Sequence, residues 1–194
     1  MTEQETRRQR QKRFERLAHV VAEPLHRYLL RRTHADTAED VLSETLLVLW
    51  RRIDDVPGLG ADGAPDPDDV LPWCYGVARG CLANAHRADG RRLRLLDRLM
   101  RTRPQQPAGA ADHGDLHAAL AEFGELDREV VRLWAWEELG PRQIAEVTGL
   151  TANAVSMRLH RAKKKLSTRL RTGRTGRENT ARSGHGTDEA RGGQ

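Results

Sequence analysis

Apolar residues recur at helical spacing along most of the chain. Near its beginning they step by three or four residues, the period of one buried helix face, through Phe14, Leu17, Val21, Leu25 and Tyr28. Pro24 falls inside this pattern and predicts an interruption or at least a bend, because proline lacks the backbone N–H that a helix interior uses. No stretch alternates apolar and polar residues as a half-buried strand would. The pattern therefore predicts an all-α fold.

A second helix is predicted to end near Arg52, and a third to follow an acidic loop. Asp36 and Glu39 have the spacing of a capping box ahead of the run VLSETLLVLWRR. Residues 54–69 contain three Pro and three Gly without periodicity, which indicates a loop. The helical pattern resumes with Pro72 near a first turn, and its apolar side is formed by Trp73, Cys74, Val77, Ala78, Cys81, Leu82 and Ala85.

Composition divides the chain into five parts. Residues 1–13 form a basic N-terminal extension, residues 14–100 a first helical domain and residues 116–170 a second. Residues 101–115 are polar and rich in turn-forming residues, which predicts a flexible linker. Residues 171–194 are mostly Gly, Ser, Thr and Arg and have almost nothing to bury, which predicts a disordered tail.

The positive charge of the chain is concentrated in one short segment. The 194 residues carry a formal net charge of +5. Residues 151–170 contain six basic and no acidic side chains, whereas residues 116–150 have an excess of four negative charges. A compact basic helix is typical of a polyanion-binding element. On charge alone, a solvated helix face explains the segment equally well.

Composition also disfavours a membrane protein and a secreted one. No window approaches the roughly 20 consecutive apolar residues that span a bilayer, and the basic start of the chain has no apolar stretch behind it. Cys74 and Cys81 lie seven residues apart in a predicted helix, about 10.5 Å along its axis, which is too far for a disulfide. We expect two reduced thiols in a cytoplasmic protein.

The segment PRQIAEVTGLTANAVSMRLHRAKKKL has the most specific pattern in the chain. Gly149 follows Ala145 by four residues and precedes Val155 by six. The small residue lets two helices cross closely, and glycine permits the positive φ of a tight turn. The second helix buries one side, formed by Val155, Leu159, Ala162 and Leu166. This spacing predicts a helix-turn-helix, because an ordinary basic hairpin needs all these features to coincide by chance.

The opposite side of that second helix is predicted to face a DNA groove. An amide near the start of the helix can read an adenine edge, and cations along it can contact phosphates. The candidate residues are Asn153, Ser156, Met157, Arg158, His160, Arg161 and Lys164.

Taken with the first domain, this motif resembles the extracytoplasmic-function (ECF) group of the bacterial sigma-70 family. AEDVLSETLLVLW stands where that family has its polymerase-binding helix, and LPWCYGVARGCLANAHRADGRRLRL where it has its promoter-melting helix. The resemblance implies a region 2 helical bundle over residues 14–100 and a region 4 helix-turn-helix over residues 116–170, joined by the linker. It implies a sigma factor that binds core RNA polymerase and directs promoter-specific initiation.

The resemblance also implies roles for particular residues. The second helix would bind core RNA polymerase through Asp40, Glu44, Leu47 and Arg51. The third helix would contact the minus-ten element through Trp73, Arg79, Asn84, Arg87, Arg91 and Arg92. The candidate residues of the C-terminal motif would contact the minus-thirty-five element. The chain departs from the family pattern at Gly80, where many members have Asn, and at Ser43 and Leu46, where Gln and Phe are common.

No catalytic, metal or cofactor site is expected. The sequence lacks a phosphate-binding glycine loop, a His-Glu-x-x-His motif and the paired CxxC motifs that hold zinc. Besides core polymerase and promoter DNA, the resemblance implies an anti-sigma factor as a partner, and no membrane. The alternative is a stand-alone helix-turn-helix regulator with a ligand-binding or dimerising N-terminal domain. An enzyme with an appended helix-turn-helix is disfavoured, because no nucleophile, base and orienting group occur together.

Overall fold

The computed structural model describes residues 3–60, 65–100 and 123–182. Within these ranges the regular structure is helical and contains no strand, so the predicted all-α fold is confirmed. The elements are α1 (Glu3–Leu30), α2 (Ala35–Arg51), a 3-10 helix (Ile53–Asp55), α3 (Pro67–Met100), α4 (Glu125–Ala135), α5 (Pro141–Thr148) and α6 (Ala152–Arg182). The predicted linker, residues 101–115, lies outside the described residues. No helix in the described ranges has the length and apolar character needed to cross a bilayer.

α1 is one continuous helix that includes Pro24, so the predicted interruption at this residue is wrong. The proline removes only the hydrogen bond to the carbonyl of Val20. Leu17, Val21 and Leu25 are fully buried on one side, before and after the proline. Packing of this stripe offsets the cost of the missing hydrogen bond. The helix begins at Glu3, so most of the predicted N-terminal extension is its first part.

Two arginines in that first part of α1 fix the end of α2. Arg10 Nη2 donates to the carbonyl of Trp50 at 3.3 Å and to that of Arg51 at 3.0 Å. Arg13 forms an ion pair with Asp54 at 2.7 Å. The last carbonyls of a helix have no partner within it, and a cation there also interacts favourably with the helix dipole. The basic start of the chain therefore has a structural role.

α2 begins without the predicted capping box, so that prediction is wrong. The residue before the helix is His34, and no side chain caps the first turn. Asp36 instead lies inside the first turn, where its negative charge stabilises the helix by interacting with the helix dipole. The buried side of the helix is formed by Ala38, Val41, Thr45 and Leu49.

α3 begins at Pro67, five residues before the predicted start near Pro72. Asp66 caps the helix, because its Oδ1 accepts a hydrogen bond from the backbone N–H of Asp68 at 2.9 Å. Pro72 therefore lies inside the helix, where it cannot donate to the carbonyl of Asp68. That carbonyl instead accepts a hydrogen bond from Gln143 Nε2 of α5 at 3.2 Å.

The helices on either side of residues 101–122 share one hydrophobic core. α3 packs against α1, α2 and α5, and Ile144 and Val147 of α5 are buried in the same cluster as the apolar side chains of α1 and α3. A Cβ built at Gly76 would lie 3.8 Å from the Cα of Val147. At Gly76 the backbone of α5 thus lies within van der Waals reach of a side-chain position on α3.

The two cysteines are unpaired and buried in this core. Burial raises the pKa of Cys74 to about 12, and burial likewise raises the pKa of Cys81. Both groups therefore stay protonated at neutral pH, and a protonated thiol is a poor nucleophile.

α6 extends to Arg182. Residues 171–182, predicted to belong to a disordered tail, are thus helical in the structure, and residues 183–194 lie outside the described residues. The extension contains no proline, so it continues a helix that is already nucleated by the packed residues before it.

Two leucines of α2 test its orientation. Leu49 is fully buried, so Leu49→Ala should lower the free energy of unfolding by about 2–5 kcal/mol. Leu47 is 46% exposed, so Leu47→Ala should change the same quantity by less than about 0.5 kcal/mol. Urea unfolding followed by circular dichroism measures both, and equal losses would contradict this orientation.

Candidate nucleic-acid interface

α5 and α6 form the predicted helix-turn-helix. Gly149 ends α5 with a φ of 73°, and its N–H donates to the carbonyl of Ala145 at 2.9 Å. Thr151 precedes α6, and its Oγ1 accepts a hydrogen bond from the N–H of Ala154 at 3.2 Å. Val155 and Leu159 are buried. The turn and this buried stripe fix which side of α6 faces outward.

The outward side of α6 holds most of the predicted minus-thirty-five residues. The exposed members of that set are Asn153, Ser156, Met157, His160, Arg161 and Lys164. Asn153 lies in the first turn, and Met157, one turn later, is 57% exposed. The hydroxyl of Ser156 donates to the carbonyl of Ala152 at 2.9 Å. An amide near the helix start with cations further along suits a major groove.

Arg158 differs from the other predicted residues because it is half-buried. Its Nη1 forms an ion pair with a carboxylate oxygen of Asp127 on α4. Both residues line a cavity of about 230 Å³ between α4 and α6, together with Phe123 and Lys165. Arg158 therefore joins α4 to α6 through this ion pair.

α3 presents a basic side beyond its contact with α5. Asn84, Arg87, Arg91 and Arg92 are exposed, and Arg79 is half-buried. Arg87 Nη2 donates to Asn84 Oδ1. A Cβ at Gly80 would meet nothing within 4 Å, so the surface at this point is open. Cations along one helix side can follow the phosphates of a nucleic acid strand.

Trp73, the remaining predicted minus-ten residue, is half-buried and packs against the core. The guanidinium carbon of Arg52 lies 5.1 Å from the centre of its ring, which is the geometry of a cation–π contact. Trp73 thus fastens the start of α3 to the end of α2.

The predicted polymerase-binding residues lie together on the outward side of α2. Asp40, Glu44, Leu47 and Arg51 are all exposed. A large apolar side chain that is 46% exposed among charges is a modest sign of an interaction surface.

The structure contains a cluster of charged side chains that no pattern in the sequence predicts. Arg32 Nε forms an ion pair with Glu129 at 3.0 Å, and its Nη1 lies 3.2 Å from Glu137. Arg31 Nη2 lies 2.9 Å from Glu137, and the Tyr28 hydroxyl donates to Glu129 at 3.0 Å. We call these five residues the Arg32 network. Its pairs are separated by about a hundred positions, so no local spacing could indicate them.

The centre of the Arg32 network is removed from water. The side chain of Glu137 is fully buried, and that of Arg32 is 4% exposed. Burial raises the pKa of Tyr28, and the neighbouring Glu129 raises it further. Burial acts to lower the pKa of Arg32, but Tyr28, Glu129 and Glu137 more than offset this effect and raise it. The guanidinium therefore stays charged in its buried site.

Residues 113–166 match the family model described as Sigma-70, region 4. The chain carries a sigma-70 region 4. This region includes α4, α5 and the part of α6 whose outward side holds Asn153 and Met157. Region 4 is a DNA-binding helix-turn-helix and not an enzymatic domain. No curated protein sequence matches the chain significantly.

Three solved structures resemble the chain, region 4 included, over most of its length. The sigma factor RpoE in complex with the anti-sigma factor NepR, from Bartonella quintana, has a TM-score of 0.59 at 21% identity, covering 81% of this chain and 96% of its own. CnrH, in complex with the cytosolic domain of CnrY, has a TM-score of 0.51 at 23% identity, covering 84% and 90%. The PhyRSL–NepR complex from Sphingomonas sp. Fr1 gives 0.53 at 19% identity, covering 78% and 87%.

The chain thus has the fold of an ECF sigma factor, with α1–α3 in the place of region 2 and α4–α6 as region 4. From here we call residues 3–100 the region 2-like unit.

Gly149 tests the turn of region 4, and Gly80 in α3 serves as the comparison. Gly149 has a positive φ, so Gly149→Ala should lower the free energy of unfolding by about 1 kcal/mol. Gly80 lies in a helix interior with open space around it, so Gly80→Ala should raise the same quantity by about 0.5–1 kcal/mol. Thermal and urea unfolding measure both variants. A neutral Gly149→Ala variant would contradict the left-handed turn.

Proposed function

We propose that this chain is a sigma factor that binds core RNA polymerase and directs initiation at promoters with particular minus-ten and minus-thirty-five elements. The observation that carries the proposal is the outward side of α6, the second helix of the helix-turn-helix. There an exposed amide, Met157 and cations lie within the part of the chain that matches region 4. The proposal includes action in the cytoplasm, where core polymerase works.

In the minus-thirty-five contact, two kinds of side chain have different tasks. Asn153 and Met157 lie near the start of α6 and face base edges, where the pattern of donors and acceptors differs between base pairs. Arg161 and Lys164 lie further along and neutralise phosphates, which adds affinity without sequence preference.

The minus-ten contact uses the basic side of α3. Arg79, Arg87 and Arg91 lie along one DNA strand. Asn84, whose Oδ1 accepts a hydrogen bond from Arg87, offers its amide to nearby bases. Trp73 holds the start of α3 against α2, so its role in this contact is to position the helix.

The polymerase contact uses the outward side of α2. Asp40 and Glu44 supply negative charge beside Leu47, and Arg51 closes the surface at the helix end. An anti-sigma factor is a further proposed partner, because the similar RpoE structure is a complex with one.

The function is tested by adding the purified chain to core RNA polymerase and a library of randomised promoters. Specific run-off transcripts should form only when the chain and core enzyme are both present. A chain that binds a palindromic site as a dimer, without polymerase, would instead support a stand-alone regulator.

Charge reversal tests the polymerase contact. Asp40→Lys with Glu44→Lys should abolish co-purification with core polymerase and leave the helical content unchanged, because both side chains are exposed. Glu39→Lys is the matched control, since Glu39 is also exposed but lies about 100° around the helix from Asp40. If the double variant still co-purifies, this surface is not the polymerase contact.

Base readout and phosphate contact are separable on α6. Asn153→Ala should change which minus-thirty-five sequences are preferred, by about 1–3 kcal/mol. Arg161→Ala and Lys164→Ala should weaken all promoters alike and lower the salt slope by about one per phosphate contact removed. Arg158→Ala should lower that slope less than either change, since Arg158 pairs with Asp127. Transcription from a randomised library at two salt concentrations measures all four variants. A sequence-independent effect of Asn153→Ala would mean that α6 sits in the groove in another orientation.

A further inference from the structure

The outward side of α6 contains a sulfur atom that is open to solvent. Met157 is 57% exposed, the largest exposed fraction among the large apolar side chains of the described residues. Val155 and Leu159 are buried on the opposite side of the helix, and position 157 lies about 200° around the helix from Val155. Solvent therefore reaches the thioether of Met157 in the free chain.

The two cysteines differ from Met157 in both exposure and reactivity. Cys74 and Cys81 are buried, and burial raises the pKa of Cys74 to about 12 and also raises that of Cys81. The thiolate is the reactive form of cysteine, so neither residue reacts readily at neutral pH. A thioether has no proton to lose, and its oxidation follows its exposure. Among the sulfur atoms whose surroundings the structure describes, a mild oxidant therefore reaches that of Met157 first.

Two residues of the proposed minus-thirty-five contact flank Met157 on the same side of α6. Asn153 precedes it by four residues and Arg161 follows it by four, and side chains four residues apart are neighbours on a helix surface. Arg161 lies close to this turn, because its Nε donates to the carbonyl of Met157 at 3.4 Å. A chemical change at the sulfur therefore takes place beside a base-reading amide and a phosphate-binding cation.

We propose that Met157 is a site of reversible oxidation by peroxides, and that its sulfoxide changes which minus-thirty-five sequences the chain prefers. The inference rests on the proposed function, in which Met157 faces base edges. Oxidation takes place on the free chain, because bound promoter DNA covers this side of α6.

The oxidation consumes one molecule of hydrogen peroxide. A lone pair of the sulfur attacks one peroxide oxygen, so that an S–O bond forms and the O–O bond breaks. The second oxygen leaves as hydroxide and takes the proton of the transferred oxygen, which gives water and the sulfoxide. The sulfur loses two electrons, and the peroxide is reduced. Methionine sulfoxide reductases reverse the change, releasing water as two thiols become a disulfide.

The sulfoxide has different partners from the thioether, because oxidation makes an apolar side chain polar. A thioether packs against the C5-methyl group of thymine, whereas a sulfoxide oxygen accepts hydrogen bonds and suits the amino groups of adenine and cytosine. Losing an apolar contact the size of one methylene lowers a binding constant about fourfold. The new oxygen also accepts hydrogen bonds from Asn153 Nδ2 or the Arg161 guanidinium, which draws these groups away from DNA.

The experiment oxidises the full chain with hydrogen peroxide and removes the peroxide before core RNA polymerase is added. Transcription from a library with a randomised minus-thirty-five element measures the preference, and peptide mass spectrometry measures the gain of one oxygen at Met157. Met157→Leu is the matched control, because it removes this thioether and retains Met1, Met100 and both cysteines. Each protein is compared with itself before and after oxidation, so a different starting preference of the variant does not enter the comparison.

Peroxide should oxidise Met157 at a rate close to that of free methionine and leave Cys74 and Cys81 unmodified. At one position of the minus-thirty-five element, the oxidised parent chain should favour thymine about fourfold less than the untreated chain does. The two methionine sulfoxide reductases, one for each sulfoxide epimer, should together restore the original preference. The Met157→Leu variant should have the same preference before and after peroxide.

If Met157 stays unmodified while free methionine in the same solution is oxidised, it is not a modification site. An oxidised Met157 with an unchanged promoter preference would refute the effect on base reading. A change of equal size in the Met157→Leu variant would assign the effect to another sulfur and would also refute the proposal. If the untreated chain directs no specific transcription, the proposed function fails and the effect on reading fails with it, whereas mass spectrometry still decides whether Met157 is oxidised.

Discussion

The close approach of α5 to one side of α3 is the constraint on which the rest of the structure depends. Two positions of α3 meet α5 directly: a Cβ built at Gly76 would lie 3.8 Å from the Cα of Val147, an ordinary van der Waals distance, and Pro72 leaves the Asp68 carbonyl available to Gln143. Region 4 is thereby placed on the helix that is proposed to contact the minus-ten element. Apolar burial drives this packing, and the Arg32 network adds ion pairs between the end of α1 and Glu129 and Glu137.

Periodicity predicted the helices and their buried sides well. The stripe of α1 and the turn at Gly149 follow from spacing alone, because a helix repeats every 3.6 residues and a tight turn needs glycine. Helix ends were predicted less well. Pro67 follows a capping Asp66 inside an acidic stretch whose Pro and Gly content indicates a loop, so the true start of α3 was hidden by composition. At Pro24 the helix continues, because the buried residues before and after it pack on one side.

For the candidate surfaces, too, spacing predicts which residues are exposed but not which residues of different helices pair. Exposure of Asp40, Asn153 and Lys164 follows from their position opposite a buried stripe, and the structure places them there. The pairing of Arg158 with Asp127 joins residues 31 positions apart, and the Arg32 network joins residues about a hundred positions apart. Such contacts depend on how whole helices pack, and no single-helix pattern contains that information.

The central claim is that one chain contacts two promoter elements when it is bound to core polymerase. Footprinting of a selected promoter, with the chain alone and with core polymerase, tests this most directly. We expect two protected patches with centres about 25 base pairs, or about 85 Å, apart, and only when the polymerase is present. A single palindromic patch protected by the chain alone would contradict the account.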